Sequence, residues 1–267
     1  MRSIRCLTFL LVLTLAFPAG LRAAEQFDYA PLNRVLSSYV NSNGKVNYRK
    51  LKQNRADLDG MIEQIVRVSP DSAQELFPTR EEKLAYWINA YNAWILRIVV
   101  DKYPISSITK TGTIPYGAFF IKRVTLGGKK MTLRSLENDI IRGRFHDPRI
   151  HFAINCASIS CPPLAPQSYE PQTLDRQLDE AARAFINDNN NVTLDQKAHK
   201  IVLSKIFDWY DSDFKDAAAK QGKKDAKVLD YLRQYLSPER VKTLDQLQDA
   251  PVSFYGYDWG LNDNAGE

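Results

Sequence analysis

The first stretch of the chain is apolar and uninterrupted, and nothing after it repeats that pattern. Residues 6–17 are apolar apart from two threonines, preceded by Arg2 and Arg5 and followed by Pro18, Gly20 and a cluster of small residues. This order of basic, apolar and small-residue regions marks a secretory signal peptide. An apolar core of that length falls short of the roughly 20 residues a spanning helix needs, so residues 1–23 read as a leader cleaved after Ala23 or Ala24. Residues 24–267 then read as one domain without a transmembrane anchor, periplasmic or secreted.

Beyond the leader the spacing turns amphipathic. A helix is expected over 25–40, closed by Asn41-Ser42-Asn43-Gly44, and a second over 48–68, where Leu51, Leu58, Met61, Ile62, Ile65 and Val66 share a face. Thr79 with Glu82 forms a capping-box pattern before 83–100, a run apolar around most of its circumference and expected to be the central buried helix. Two alternating stretches flank Gly127-Gly128 and predict a hairpin. A helix follows from Thr132 or Ser135 through Ile141, with Gly143 closing it. Residues 151–155 read as a short core strand, 174–186 as a helix, 192–203 as a hairpin around Asp195-Gln196-Lys197, and 227–236 and 238–247 as two more helices. No internal repeat or linker interrupts the series. The class is α+β in a single domain, mainly helical with a small antiparallel sheet.

Charge changes little in this picture. Loss of residues 1–23 takes away Arg2, Arg5 and Arg22, so the net charge falls from +5 to +2, with both signs interspersed along the rest. No basic stripe of the kind that binds nucleic acid stands out, and no nucleic-acid partner is expected.

The scarcest reactive residue types are clustered. Two cysteines remain past the leader, Cys156 and Cys161, and the chain has three histidines, His146, His151 and His199. Four of these five lie within residues 146–161, five positions apart each time. Three readings compete. The thiols can form a disulfide or lie buried, as is common in exported proteins. Two His and two Cys have the right chemistry for zinc, but offset-five spacing places successive residues on opposite faces of a strand, and no metal site is assigned. The third reading is a thiolate nucleophile at Cys156 with an imidazole base, His151 preferred and His146 or His199 the alternatives. A strict strand would point His151 and Cys156 apart, so their pairing requires a turn or bulge. Glu137, just upstream, is the candidate for orienting the imidazole, as the third member of a catalytic triad does; its plainer reading is a solvent-facing helical carboxylate. Asn155 and Ser158 flank the thiol and are candidate substrate-binding groups. So are Asn89 and Asn92, which as helix residues among aromatics can equally satisfy buried backbone groups.

Several segments taken together resemble the family called domain of unknown function 547. They are Gly44-Lys45-Val46-Asn47-Tyr48, Tyr86-Trp87-Ile88-Asn89-Ala90-Tyr91-Asn92-Ala93, Leu136-Glu137-Asn138-Asp139-Ile140-Ile141-Arg142, the block 151–163, Leu203-Ser204-Lys205-Ile206-Phe207-Asp208-Trp209-Tyr210 and Tyr257-Asp258-Trp259. The resemblance implies no settled activity. Its Glu, His and Cys content suggests a thiol hydrolase akin to papain-like or transglutaminase-like enzymes. The family's pattern often places His directly after the glutamate, where this chain has Asn138, so the base here falls to His151. The expectation is a cysteine-dependent hydrolase or acyl transferase acting on amide or thioester bonds of a peptide or protein, with no cofactor. The alternative is a non-catalytic module that binds a peptide or envelope component and keeps a structural Cys156–Cys161 disulfide.

Overall fold

A computed structural model describes residues 26–111, 114 and 116–264; the leader lies outside them. Four helices open the chain, α1 Ala30–Tyr39, α2 Tyr48–Gln53, α3 Ala56–Arg67 and α4 Arg80–Lys102. The single helix expected over 48–68 is two. Asn54 caps the end of α2 outside helical geometry, and α3 restarts after Arg55, in keeping with the preference of Asn for helix ends and turns. Leu58, Met61, Ile62 and Ile65 bury one face of α3, at the i, i+3, i+4, i+7 spacing of an amphipathic helix.

The capping box at the start of α4 forms in full. Thr79 Oγ1 accepts from the Glu82 N–H at 3.1 Å, and Glu82 Oε2 accepts from the Thr79 N–H at 2.7 Å. Fifteen of the helix's residues are buried, from Leu84 to Val100, so α4 is the axis around which the first hydrophobic core assembles. That core draws on α1, α2, α3 and the segment through Leu178, with Leu261 added from the far end of the chain.

Strands β1 Arg123–Leu126 and β2 Lys129–Thr132 form the expected hairpin, paired Val124 to Met131 and Leu126 to Lys129. Thr132 then caps a continuous helical stretch, Leu133–Ser135, Leu136–Arg142 and Gly143–Phe145, whose middle part is wound as a π-helix. Such widened turns often mark functional sites, and this one carries Glu137.

A second core collects Phe152, Phe185, Phe207, Phe214 and Tyr231 with their neighbours. Around it stand the Leu174–Asn187 and Asp211–Lys220 helices and a three-stranded sheet. In that sheet β3 Val192–Asp195 and β4 Lys200–Leu203 pair antiparallel, and β5 Val252–Phe254 adds parallel to β4. The β5 strand departs from the purely antiparallel sheet expected; three residues long and exposed throughout, it has no buried alternation to reveal it. Phe152 belongs to the second core while Ala153 and Ile154 belong to the first, so the chain crosses between the two just before Cys156. Among the described residues no helix is long and apolar enough to cross a membrane.

Candidate active site

The segment expected as a core strand over 151–155 is instead a 3₁₀ turn, Pro148–Phe152, running into coil. Its start is built locally: Pro148 occupies the first turn, where its missing N–H costs nothing, and the Asp147 side chain accepts from the Arg149 N–H at 3.1 Å. A short buried apolar run cannot distinguish a strand from a helical turn, and here the cap decides it. With the strand goes the alternation that would have pointed His151 and Cys156 apart.

His151 is 2% exposed. Its ring stacks on Tyr210, centroids 3.8 Å apart at 22°, and Nε2 lies 2.8 Å from Asp213 Oδ2. Arg142 grips the same carboxylate, Nε to Oδ2 at 2.8 Å and Nη2 to Oδ1 at 2.9 Å. Burial of Asp213 favours its neutral form, but the bonds from His151 and Arg142 outweigh it and hold the carboxyl well below the usual range. For His151 burial prevails over the nearby carboxylate and lowers the imidazole. The ring is therefore neutral, donates Nε2–H to Asp213 and keeps a lone pair on Nδ1. That Nδ1 is buried and has no hydrogen-bond partner.

Cys156 sits at the centre of a side-chain turn: Asn155 Oδ1 accepts from the Ala157 N–H at 2.7 Å, and Ala157 takes the left-handed conformation at φ 61°. A non-glycine residue held there is strained, and such strain clusters at functional sites. Cys156 Sγ lies 2.9 Å from Ser158 Oγ and 3.2 Å from Tyr257 Oη, which are 2.8 Å from each other. The Cys156 N–H donates to Cys161 Sγ at 2.9 Å. Both are free thiols in this structure. Burial resists ionisation of Cys156, but hydrogen bonds from Cys161, Ser158 and Tyr257 outweigh it and lower the thiol. Cys161 moves the opposite way, raised by burial and by its negative neighbour. Of the two thiols, Cys156 is the one whose ionisation its neighbours favour, through hydroxyl and thiol donors rather than through an imidazolium.

The asparagines proposed as substrate contacts spend their amides on the backbone. Asn92 donates to Ala153 O at 3.0 Å and accepts from the Asn155 N–H at 2.8 Å. Asn155 donates to Pro162 O at 2.7 Å as well as closing the turn over Cys156. Asn89 brackets Tyr169, donating to its carbonyl and accepting from its N–H. Asn262 reaches Asn155 and accepts from Tyr48 Oη at 2.8 Å, and Gly44, at φ 71°, passes so close that a Cβ would stand 2.5 Å from Pro163 Cβ. Segments far apart in sequence thereby converge on the Cys156 loop. Ser158, by contrast, touches the thiol.

Glu137, His151, Cys156 and Cys161 line one cavity of about 440 Å³, walled by Tyr116, Phe119, Trp209, Tyr257 and Trp259. Glu137 does not reach the imidazole as its orienting carboxylate; that place belongs to Asp213. Glu137 instead accepts from Tyr210 Oη at 2.5 Å and Tyr91 Oη at 3.3 Å, so it fixes the ring that stacks on His151. Asn138 also lines the cavity. His146 is exposed and lines a separate small cavity with Arg142 and Asp213, and His199 is exposed in the β3–β4 turn. Among the described residues no three His, Cys, Asp or Glu side chains converge as metal ligands.

Asp213 and Tyr257 escaped the sequence reading. Asp213 lies 62 positions from His151, in the first turn of a helix where acidic residues are ordinary. Tyr257 arrives because the last segment runs along the Cys156 loop, Gly260 O accepting from Ile159 N and Asp258 O from Ser160 N. The aromatic Tyr257-Asp258-Trp259 stretch was its only sequence signal.

Fold and site together define a mainly helical α+β protein with a paired-thiol cavity. A family model described as "Protein of unknown function, DUF547" matches residues 76–186, a span that includes Glu137, His151, Cys156 and Cys161 but not Asp213 or Tyr257. No curated protein and no solved structure matches the chain.

Proposed function

We propose that the chain is an exported, periplasmic or secreted, cysteine-dependent hydrolase or acyl transferase acting on thioester or amide bonds. The observation that carries this reading is that one cavity holds a thiol surrounded by hydrogen-bond donors and a buried imidazole whose Nδ1 lone pair is unclaimed. Cys156 is the nucleophile: its thiolate attacks the acyl carbonyl, a C–S bond forms, and the bond to the leaving group breaks with its electron pair. His151 Nδ1 then takes a proton from water as the oxygen adds to the acyl-enzyme, the thiolate departs, and the imidazolium gives that proton to the released leaving group. Asp213 holds the tautomer and steadies the imidazolium. In a transferase a second nucleophile replaces water. A neutral His151 has no proton to offer at the first step, which favours a thioester, whose thiolate leaves unprotonated, over an amide.

Cys156→Ala is expected to abolish thioester turnover while leaving the circular dichroism spectrum unchanged; turnover persisting in that variant contradicts the proposal. The export component is tested by mass spectrometry of the cell-fractionated protein, expected to begin at or next to Ala24. The rival reading, a peptide-binding module with a Cys156–Cys161 disulfide, draws on the closeness of the two thiols. Mass spectrometry after thiol trapping separates the two, since a quantitative disulfide leaves no nucleophile.

A further inference from the structure

The rim of the cavity is unusual for a protein surface. Phe120 is 57% exposed, Trp209 43% and Tyr116 37%, and these three of the eight large hydrophobic side chains exposed among the described residues all line this cavity. Single exposed hydrophobics need no explanation, but a group framing one opening does. Two ring contacts join them in one wall: Tyr116 meets Trp259 edge-on at 5.0 Å, and Trp209 lies 5.9 Å from Trp259. An apolar wall therefore runs from the cavity that holds Cys156 out to solvent.

One charged group breaks the apolar wall near the mouth. Arg134 lines the cavity, with its guanidinium 5.8 Å from the Phe120 ring centroid and no carboxylate partner among the described residues. Glu137, the other charged lining side chain that is not part of the thiol and imidazole pair, is already engaged by two tyrosine hydroxyls. A cation of this kind matches an anionic group on the occupant.

We infer that the site takes an acyl amphiphile: a medium-length aliphatic acyl chain seated along the aromatic wall, with a carboxylate or similar anionic group held by Arg134. This rests on the hydrolase reading and supplies its substrate class. Trp209 and Trp259 stand in the wall, so tryptophan fluorescence reports binding without turnover. The full chain carrying Cys156→Ser is titrated with N-acetylglycine, N-octanoylglycine and N-octanoylglycinamide. N-octanoylglycine is expected to bind at least about tenfold more tightly than N-acetylglycine, because the added methylenes leave water. Arg134→Gln is expected to weaken N-octanoylglycine about tenfold and to leave the uncharged amide unchanged, and Phe120→Ser to weaken both octanoyl probes. Equal affinity for the acetyl and octanoyl probes overturns the chain subsite, as does tighter binding of a capped aromatic dipeptide. A carboxylate preference that survives Arg134→Gln overturns the anion anchor. Alkylation of Cys156 by iodoacetamide is read separately in the wild-type chain. Octanoyl binding without fast alkylation sinks the hydrolase reading alone, whereas fast alkylation without octanoyl selectivity sinks this inference alone.

Discussion

His151 Nε2 lies 2.8 Å from Asp213 Oδ2, and that bond determines which ring nitrogen carries the free lone pair. Asp213→Asn removes the anion that fixes the tautomer and steadies the imidazolium. Thioester kcat/KM is expected to fall about 10²-fold or more, the scale of general acid–base catalysis. Alkylation of Cys156 should stay near the wild-type rate, because its stabilising donors are Cys161, Ser158 and Tyr257 rather than the imidazole. A parallel loss of both would mean that Asp213 supports the whole loop instead of the base.

Stability should decline on acidification. Burial lowers His151 below its ordinary value of about 6.5, so the unfolded chain binds a proton that the native ring refuses. The contribution of the neutral ring is full above about pH 6.5 and is lost as the pH drops toward the native value. Asp213, held low by Arg142 and His151, acts in the same direction further down: full above its ordinary value of about 3.9 and lost as the pH falls toward the native one. Urea midpoints measured from about pH 8 to about pH 5 should fall, with a shallower decline in His151→Gln. A midpoint that rises toward acid contradicts the buried neutral imidazole.

The elements legible in the sequence are those with a local signal. Thr79 and Glu82 announced α4, Gly127-Gly128 announced the first hairpin, and the spacing in α3 announced its buried face. What differed turned on local caps that the apolar spacing does not show. Residues 151–155 had a strand's composition but took the turn that Asp147 and Pro148 cap. Of the candidate site residues, Glu137, His151 and Cys156 share one cavity; the histidine and the cysteine stand out because those types are scarce here. Asp213 was invisible because aspartate is common, and nothing local distinguishes it from Asp211 in the same turn. Asn89 and Asn92 showed their polarity in the sequence but not their partners, which are backbone groups of Tyr169, Ala153 and Asn155.

The asparagine network gives a stability test. Asn155→Ala strips partners from the Pro162 carbonyl and the Ala157 N–H, both deep in the loop. Leaving such groups unsatisfied costs about 1–3 kcal/mol, readable as a lower denaturation midpoint with unchanged slope. The Cys156 thiol should also drift back toward ordinary acidity as its turn loosens. A variant as stable as wild type would show that the network is dispensable.

The central claim is that Cys156 is an activated thiolate, and it is tested most directly by iodoacetamide alkylation of the native protein across pH, resolved for Cys156 and Cys161 by mass spectrometry. Cys156 is expected to react first, with a midpoint below the ordinary cysteine value of about 8.5, and Tyr257→Phe should move that midpoint upward by removing a donor 3.2 Å from the sulfur. Equal labelling of the two thiols, a Cys156 midpoint at or above the ordinary value, or a midpoint unmoved by Tyr257→Phe would contradict it.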